Sequence, residues 1–216
     1  MAAHAPARVT RMRRAERLRG IYAIVNEAPS VLEIAAAALR AGVAIVQYRA
    51  KNGIVAEHVV ALRRLTLAHD ALLVMNDDWR AADAFDCDGV HLGPGDAGFD
   101  TIARVRDALP QRLIGVSCGT AEQARGLRAS QADYIGVGSV YRTESKADAG
   151  DPIGIDGLVR VASSTPLPVA AIGGITAERI AEVRRTGVAM AAVISALASS
   201  AQPEEAARDL IAGWNQ

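Results

Sequence analysis

Aromatic side chains are scarce in this chain, which has two Trp, four Tyr and two Phe among 216 residues. Its core must therefore be built from small and branched aliphatics, and half the residues are hydrophobic, mostly Ala, Val, Ile and Leu. That composition suits helices packed closely on a parallel sheet better than an all-β sandwich. An excess of one charge is also missing. Lys plus Arg and Asp plus Glu number 24 each, so no overall field draws the chain to nucleic acid or to an anionic membrane, and any anion recognition must be local. No apolar run reaches the ~18 residues of a membrane span, and the N-terminal stretch lacks the apolar segment of a secretory signal. A cytoplasmic location is expected. The two cysteines, Cys87 and Cys118, have no metal-type spacing and are expected as free thiols without a redox role.

The length fits one sizeable core better than two. Residues 1–19 stand apart, with Arg8, Arg11, Arg13, Arg14, Arg17 and Arg19 against a lone Glu16. They are expected as a flexible or weakly helical basic arm ahead of a single domain over residues 20–216. An organelle transit peptide would also be Arg-rich but would carry Ser, and this stretch has none.

From Gly20 onward, eight short apolar runs recur: 21–25, 44–48, 72–75, 89–92, 113–116, 134–137, 169–172 and 189–194. Most are continuously apolar, the pattern of strands buried on both faces of a parallel sheet. Helix-patterned stretches lie between them at 31–40, 55–69, 101–109, 121–130 and 177–185, with a closing helix at 203–214. The pattern predicts an α/β fold, a single (β/α)8 TIM barrel, with an open doubly wound sheet as the alternative. A dinucleotide-binding sheet would want G-x-G-x-x-G after the first strand, and Val25-Asn26-Glu27-Ala28 offers nothing like it.

Barrels of this kind do their chemistry at the C-terminal ends of the strands. The second run ends Gln47-Tyr48-Arg49-Ala50-Lys51, and period-two alternation puts Gln47, Arg49 and Lys51 on one face. One amide and two cations suit a diphosphate, although a solvent-facing rim with ordinary ion pairs would read the same way. Asp77 and Asp78 follow the third run and Asp96 the fourth. Carboxylates there could hold Mg²⁺, or could merely cap a helix and serve a turn. His91 reads first as a buried structural histidine and second as a general base. Ser117 has no partner resembling a nucleophile motif and reads as a hydrogen-bonding group for a substrate. The longest connection, 139–156, carries Thr143-Glu144-Ser145-Lys146 and reads as a lid over phosphates or as a solvated loop. Gly173-Gly174 after the seventh run, and Ser195 after the eighth, occupy the recurrent phosphate position of this fold.

Several segments share their order and spacing with one family: Gln47-Tyr48-Arg49-Ala50-Lys51, Asn76-Asp77, Asp88 to Asp96, Gly115-Val116-Ser117, Asp133 to Gly138, Thr143 to Lys146, Ala171 to Ile175 and Val193-Ile194-Ser195. On these the chain resembles the thiamine phosphate synthase family from about Tyr22 to Ser195. The resemblance implies a transferase of thiamine biosynthesis with two small phosphorylated heterocycles as partners. These are 4-amino-5-hydroxymethyl-2-methylpyrimidine diphosphate and 4-methyl-5-(2-hydroxyethyl)thiazole phosphate, joined with loss of diphosphate. It assigns Gln47, Arg49, Lys51, Asn76 and Lys146 to the pyrimidine diphosphate, and Asp77 and Asp96 to Mg²⁺. Ser117 would meet the pyrimidine substrate or its leaving group. Thr143, Ser145, Gly174, Ile194 and Ser195 would hold the thiazole phosphate. Catalysis itself would fall to Lys51, Arg49, Ser117 and Lys146.

Some positions depart from the family pattern. Asp78 stands where Arg is common, Asn26 where Asp is common, Ser145 where Thr is usual, and Ala50 replaces a frequent acidic residue. Two other functions fit the same fold: a thiazole phosphate tautomerase, and a non-catalytic sensor of that phosphate. Neither needs a leaving-group site made of both the Gln47, Arg49, Lys51 trio and two metal carboxylates. A homo-oligomer is compatible with the sequence, and neither nucleic acid nor membrane is expected as a partner.

Overall fold

Eight strands close into one barrel in the computed structural model, which describes residues 10–93, 99–127, 131–145 and 151–216. They are β1 (Gly20–Asn26), β2 (Ile45–Arg49), β3 (Leu72–Asn76), β4 (Gly89–Leu92), β5 (Leu113–Cys118), β6 (Tyr134–Val137), β7 (Val169–Ile172) and β8 (Met190–Val193). All neighbours are parallel and follow sequence order, and β8 pairs back onto β1 with Gly20 opposite Met190. The helices are α1 (Arg11–Ala15), α2 (Val31–Ala41), α3 (Ala56–Ala68), α4 (Trp79–Ala84), α5 (Phe99–Ala108), α6 (Ala121–Gly126), α7 (Gly154–Ala162), α8 (Ile180–Arg185), α9 (Ser195–Ala198) and α10 (Pro203–Trp214). This is a (β/α)8 barrel, and the open sheet is excluded.

Alternation along each strand divides the core in two. Val46 and Tyr48 of β2 face outward into the layer beneath the helices, whereas Ile45 faces inward with Tyr22, Leu72, Leu113, Tyr134 and Met190 to fill the barrel. Two glycines make room for the larger inward groups. A Cβ on Gly115 would lie 2.1 Å from Tyr134 Cζ, and one on Gly136 would lie 3.0 Å from His91 Cε1. Helix ends follow local chemistry: Gly42 adopts φ 103° to stop α2, and Pro203 opens α10.

At the lower end of the barrel, residues 10–19 of the Arg-rich stretch take up the helical alternative in α1 and pack under the strands. Thr10 caps α1, and Leu18 joins the inward cluster. Arg14 is buried and donates to Asp88 at 2.9 Å, while Arg11 meets Asp133 at 2.6 Å. Each aspartate also accepts a strand N–H, Asp88 from Leu73 and Asp133 from Ile114, and each takes a further arginine, Arg63 and Arg106 respectively. These two aspartates precede β4 and β6, so they tie strand starts together from below.

Smaller differences have local causes. β5 runs two residues past the expected end because Ser117 and Cys118 pair with Gly136 and Val137. The sequence pattern set no bounds for α4 or α7, although the helix-capping alternative for Asp78 is the one realised in α4. Asp78 nucleates α4 by accepting from Ala81 N at 2.9 Å, and α7 forms despite Gly154 and Gly157 because Leu158 and Val161 are buried. Its start at Gly154 shortens the long connection after β6. Helix α8 starts at Ile180 instead of 177, and α6 ends at Gly126 instead of 130; residues 128–130 lie outside the described residues. Among the described residues no helix is long and apolar enough to cross a membrane.

Candidate active site

The C-terminal ends of the strands surround a cavity of about 960 Å³. Gln47, Arg49, Lys51, Asn76, Asp77, Ser117, Thr143, Ser145, Gly174, Ile194 and Ser195 all line it. Asp96 and Lys146 lie outside the described residues.

Depth along β2 sorts its three polar groups. Gln47 is buried, Arg49 half-buried and Lys51 exposed at the rim. Arg49 donates to Asn26 Oδ1 at 3.1 Å, a neutral partner. Among the described residues neither Arg49 nor Lys51 has a carboxylate within ion-pair distance. Two cations with no carboxylate partner among the described residues leave this wall of the cavity positively charged. The loop that carries Lys51 is fixed at its far end, where Val55 N donates to Tyr48 Oη at 3.1 Å. Tyr48 in turn donates to Glu27, which also meets His58 Nδ1 at 2.9 Å. Burial would raise the Glu27 pKa, but the Tyr48 and His58 hydrogen bonds outweigh it and hold it below the ordinary value.

The two adjacent aspartates after β3 have different tasks. Asp78 is turned away to cap α4 and does not line the cavity. Asp77 adopts φ 60°, a conformation Asp tolerates better than most residues. Its Oδ1 accepts from Gly93 N at 2.8 Å and its Oδ2 from Asn76 Nδ2. Both oxygens keep lone pairs on an exposed carboxylate at the cavity wall. Mg²⁺ takes hard oxygen ligands and often only one or two carboxylates, so Asp77 fits that ion. Among the described residues no group of three or more potential metal ligands occurs.

Across the cavity, the connection after β6 is clasped against the end of β7. Val140 N donates to Ile172 O at 2.9 Å and Tyr141 N to Gly173 O at 3.0 Å. Gly173 and Gly174 both have positive φ, and contact forbids side chains there as well. A Cβ on Gly173 would lie 2.1 Å from Ser139 Oγ, and one on Gly174 would lie 2.6 Å from Arg142 O. Thr143 and Ser145 bring hydroxyls to this wall, with Ser145 N donating to Thr143 Oγ1 at 3.2 Å.

Polar groups missed by the sequence reading fill the space below. Gln47 Nε2 donates to Tyr22 Oη at 2.7 Å, Tyr22 Oη lies 2.9 Å from Tyr134 Oη, and Tyr134 Oη lies 3.2 Å from His91 Nδ1. His91 Nε2 is then 3.1 Å from Ser117 Oγ. Ser117 therefore does have an imidazole partner, contrary to expectation. Burial pushes both phenol pKa values well above the ordinary value, and raises the Cys118 thiol on the cavity wall to about 11. The available signal was Tyr at an inward register in two apolar runs, with Gly115 opposite Tyr134 on the preceding strand.

The model of the thiamine monophosphate synthase family matches residues 21–197, which include every strand and the cavity wall. The chain belongs to that family. It is 45% identical over 182 residues to the thiamine-phosphate synthase of Archaeoglobus fulgidus, covering 83% of this chain and 84% of that one. Identity to the thiamine-phosphate synthase of Roseiflexus castenholzii is 39% over 201 residues, 89% of this chain and 87% of the relative. Among solved structures, the thiamine phosphate pyrophosphorylase of Pyrococcus furiosus superposes with a TM-score of 0.83 at 34% identity, covering 92% and 96% of the two chains. The 3-hexulose-6-phosphate synthase of Salmonella typhimurium, at 17% identity and a TM-score of 0.72 over 92% of this chain and 99% of that one, shares the fold alone. Two departures from the family pattern acquire local meaning. Asp78 caps a helix, and Asn26 gives Arg49 a neutral partner.

Proposed function

We infer that the chain condenses 4-amino-5-hydroxymethyl-2-methylpyrimidine diphosphate with 4-methyl-5-(2-hydroxyethyl)thiazole phosphate, giving thiamine phosphate and diphosphate. The observation that carries this reading is one cavity with provision for anions on opposite walls. Among the described residues Arg49 and Lys51 stand without counter-charge on one side, and a glycine pair with hydroxyls stands on the other. Kinship with named thiamine-phosphate synthases supports a synthase of thiamine phosphate, and the two anions are those that the family resemblance implies.

The bond from the pyrimidine methylene to diphosphate oxygen breaks with its electron pair passing to the diphosphate. The electron-rich aminopyrimidine stabilises the resulting cation, and the thiazole nitrogen lone pair forms the new C–N bond. Arg49 grips the leaving diphosphate through its planar fork and Lys51 through a mobile point charge, both stronger partners as its charge grows. Gly173 and Gly174 let backbone approach the thiazole phosphate closely, with Thr143, Ser145 and Ser195 as hydrogen-bonding hydroxyls. The walls hold the two reactants in one orientation, converting a bimolecular encounter into a local one. Mg²⁺ held by Asp77, with Asp96 as the second carboxylate, would supply further neutralisation of the departing diphosphate.

Diphosphate release measured with both substrates and Mg²⁺ tests this reading. Release dependent on both substrates is expected. Thiazole phosphate isomerised without diphosphate release would make the chain a tautomerase, and binding of thiazole phosphate without turnover would make it a sensor.

A further inference from the structure

The hydrogen-bonded chain beneath the cavity has a direction. In a neutral imidazole one nitrogen donates and the other accepts, and a phenol that accepts one hydrogen bond still has its own proton to give. At one end the Gln47 amide donates Nε2–H to Tyr22 Oη. With Tyr22 Oη accepting there, its own O–H is left to donate to Tyr134 Oη, and the Tyr134 O–H to donate to His91 Nδ1. With Nδ1 accepting, the ring carries its proton on Nε2 and donates to Ser117 Oγ, which keeps its hydroxyl proton for the cavity. Neither phenol breaks the sequence by ionising, since both are fully buried.

We propose that Tyr22, Tyr134 and His91 form a one-way hydrogen-bond relay from the Gln47 amide to the Ser117 hydroxyl, which sets Gln47 as an acceptor and Ser117 as a donor toward the bound pyrimidine substrate. The relay opposes reading Ser117 and His91 as a nucleophile and its base. That pairing needs the reverse tautomer, with Nε2 free to take the serine proton. The relay also selects among pyrimidines, a consequence that rests on the condensation reading above. Gln47 Oε1 takes no hydrogen bond among the described residues, so an amino group on the ring finds an acceptor there. A carbonyl at the same ring position would face oxygen. Flipping the amide to accommodate it would set Oε1 against Tyr22 Oη and force every bond of the relay to reverse. Tyr22 is therefore a positioning residue that acts through Gln47.

Two measurements on the full chain test the proposal. Long-range nitrogen-15 NMR of histidine-labelled wild type reads the His91 tautomer directly, with assignment by a His91→Gln control. The proton is expected on Nε2, and a proton on Nδ1 overturns the relay. In parallel, kcat/KM is measured for the amino substrate and for its 4-oxo analogue. Tyr22→Phe is expected to shrink the preference for the amino compound by roughly tenfold or more, leaving KM for thiazole phosphate unchanged. An unchanged preference in a variant that retains the wild-type far-ultraviolet circular dichroism overturns the selectivity role. If wild type turns over neither pyrimidine, the condensation reading fails, and the tautomer still decides the relay.

Discussion

Arg49 and Lys51 differ in depth and in geometry, yet each would offer a leaving diphosphate a full charge with no carboxylate partner among the described residues. A charge-assisted hydrogen bond contributes about 1.5–3 kcal/mol, and about 1.4 kcal/mol is tenfold in rate. Arg49→Ala and Lys51→Ala are each expected to lower kcat more than roughly tenfold in a diphosphate-release assay. Wild-type rates in either would remove the diphosphate from that wall. The tyrosines below give a second residue-level expectation. Burial raises the folded pKa of Tyr22 and of Tyr134 above the value of about 10 that they have when unfolded. A raised folded pKa contributes stability that is complete below the unfolded pKa and is lost as pH climbs toward the folded one. Each phenol should therefore cost about 1.4 kcal/mol of stability per pH unit above about pH 10. Urea melts at successive alkaline pH values would show that slope, and Tyr22→Phe should reduce it. An equal slope in that variant would place its origin elsewhere.

Elements were legible where their pattern is local. The eight apolar runs became the eight strands, because burial on both faces leaves each run continuous. α4 was signalled only by its Asp78 cap, since six residues are too short for a periodic pattern, and α7 was hidden because two glycines mask the buried pair Leu158 and Val161. The β2 cations and Asp77 could be found because they end a strand and are close in sequence. The relay could not, since Tyr22 and Tyr134 meet across 112 positions and only closure of the barrel brings their strands inward to one another. The same holds for α1, whose arginines read as an arm until Asp88 and Asp133 are placed beneath the barrel. Removing one partner of a buried ion pair costs about 3–5 kcal/mol. Asp88→Ala is expected to lower Tm by roughly 6–20 °C, at about 2–4 °C per kcal/mol for a chain of this size. Calorimetry would check it, and a Tm within a degree of wild type would show that this network carries little stability.

For the whole molecule, the proposed reaction would bring two anions and an oxygen-ligated cation into one cavity, so binding and chemistry should separate on mutation. Asp77→Asn is expected to remove most condensation activity, since a neutral amide is a poorer partner for Mg²⁺. Thiazole phosphate binding by calorimetric titration should survive, because Asp77 lies across the cavity from the glycine pair. Full activity in this variant, or in wild type with excess chelator, would overturn the metal assignment. The closing seam of the barrel also orders the protein's birth. Strand β1 is made before its neighbour β8, which ends only at Val193. At about 5–20 residues per second the first strand waits roughly 9–35 s for that partner. Until then it has a bare edge, and Arg17 and Arg19 stand immediately beside it. Charges next to an unpaired strand discourage neighbouring nascent chains from adding to it, so the basic stretch that later locks the floor can first serve as the chain's own guard.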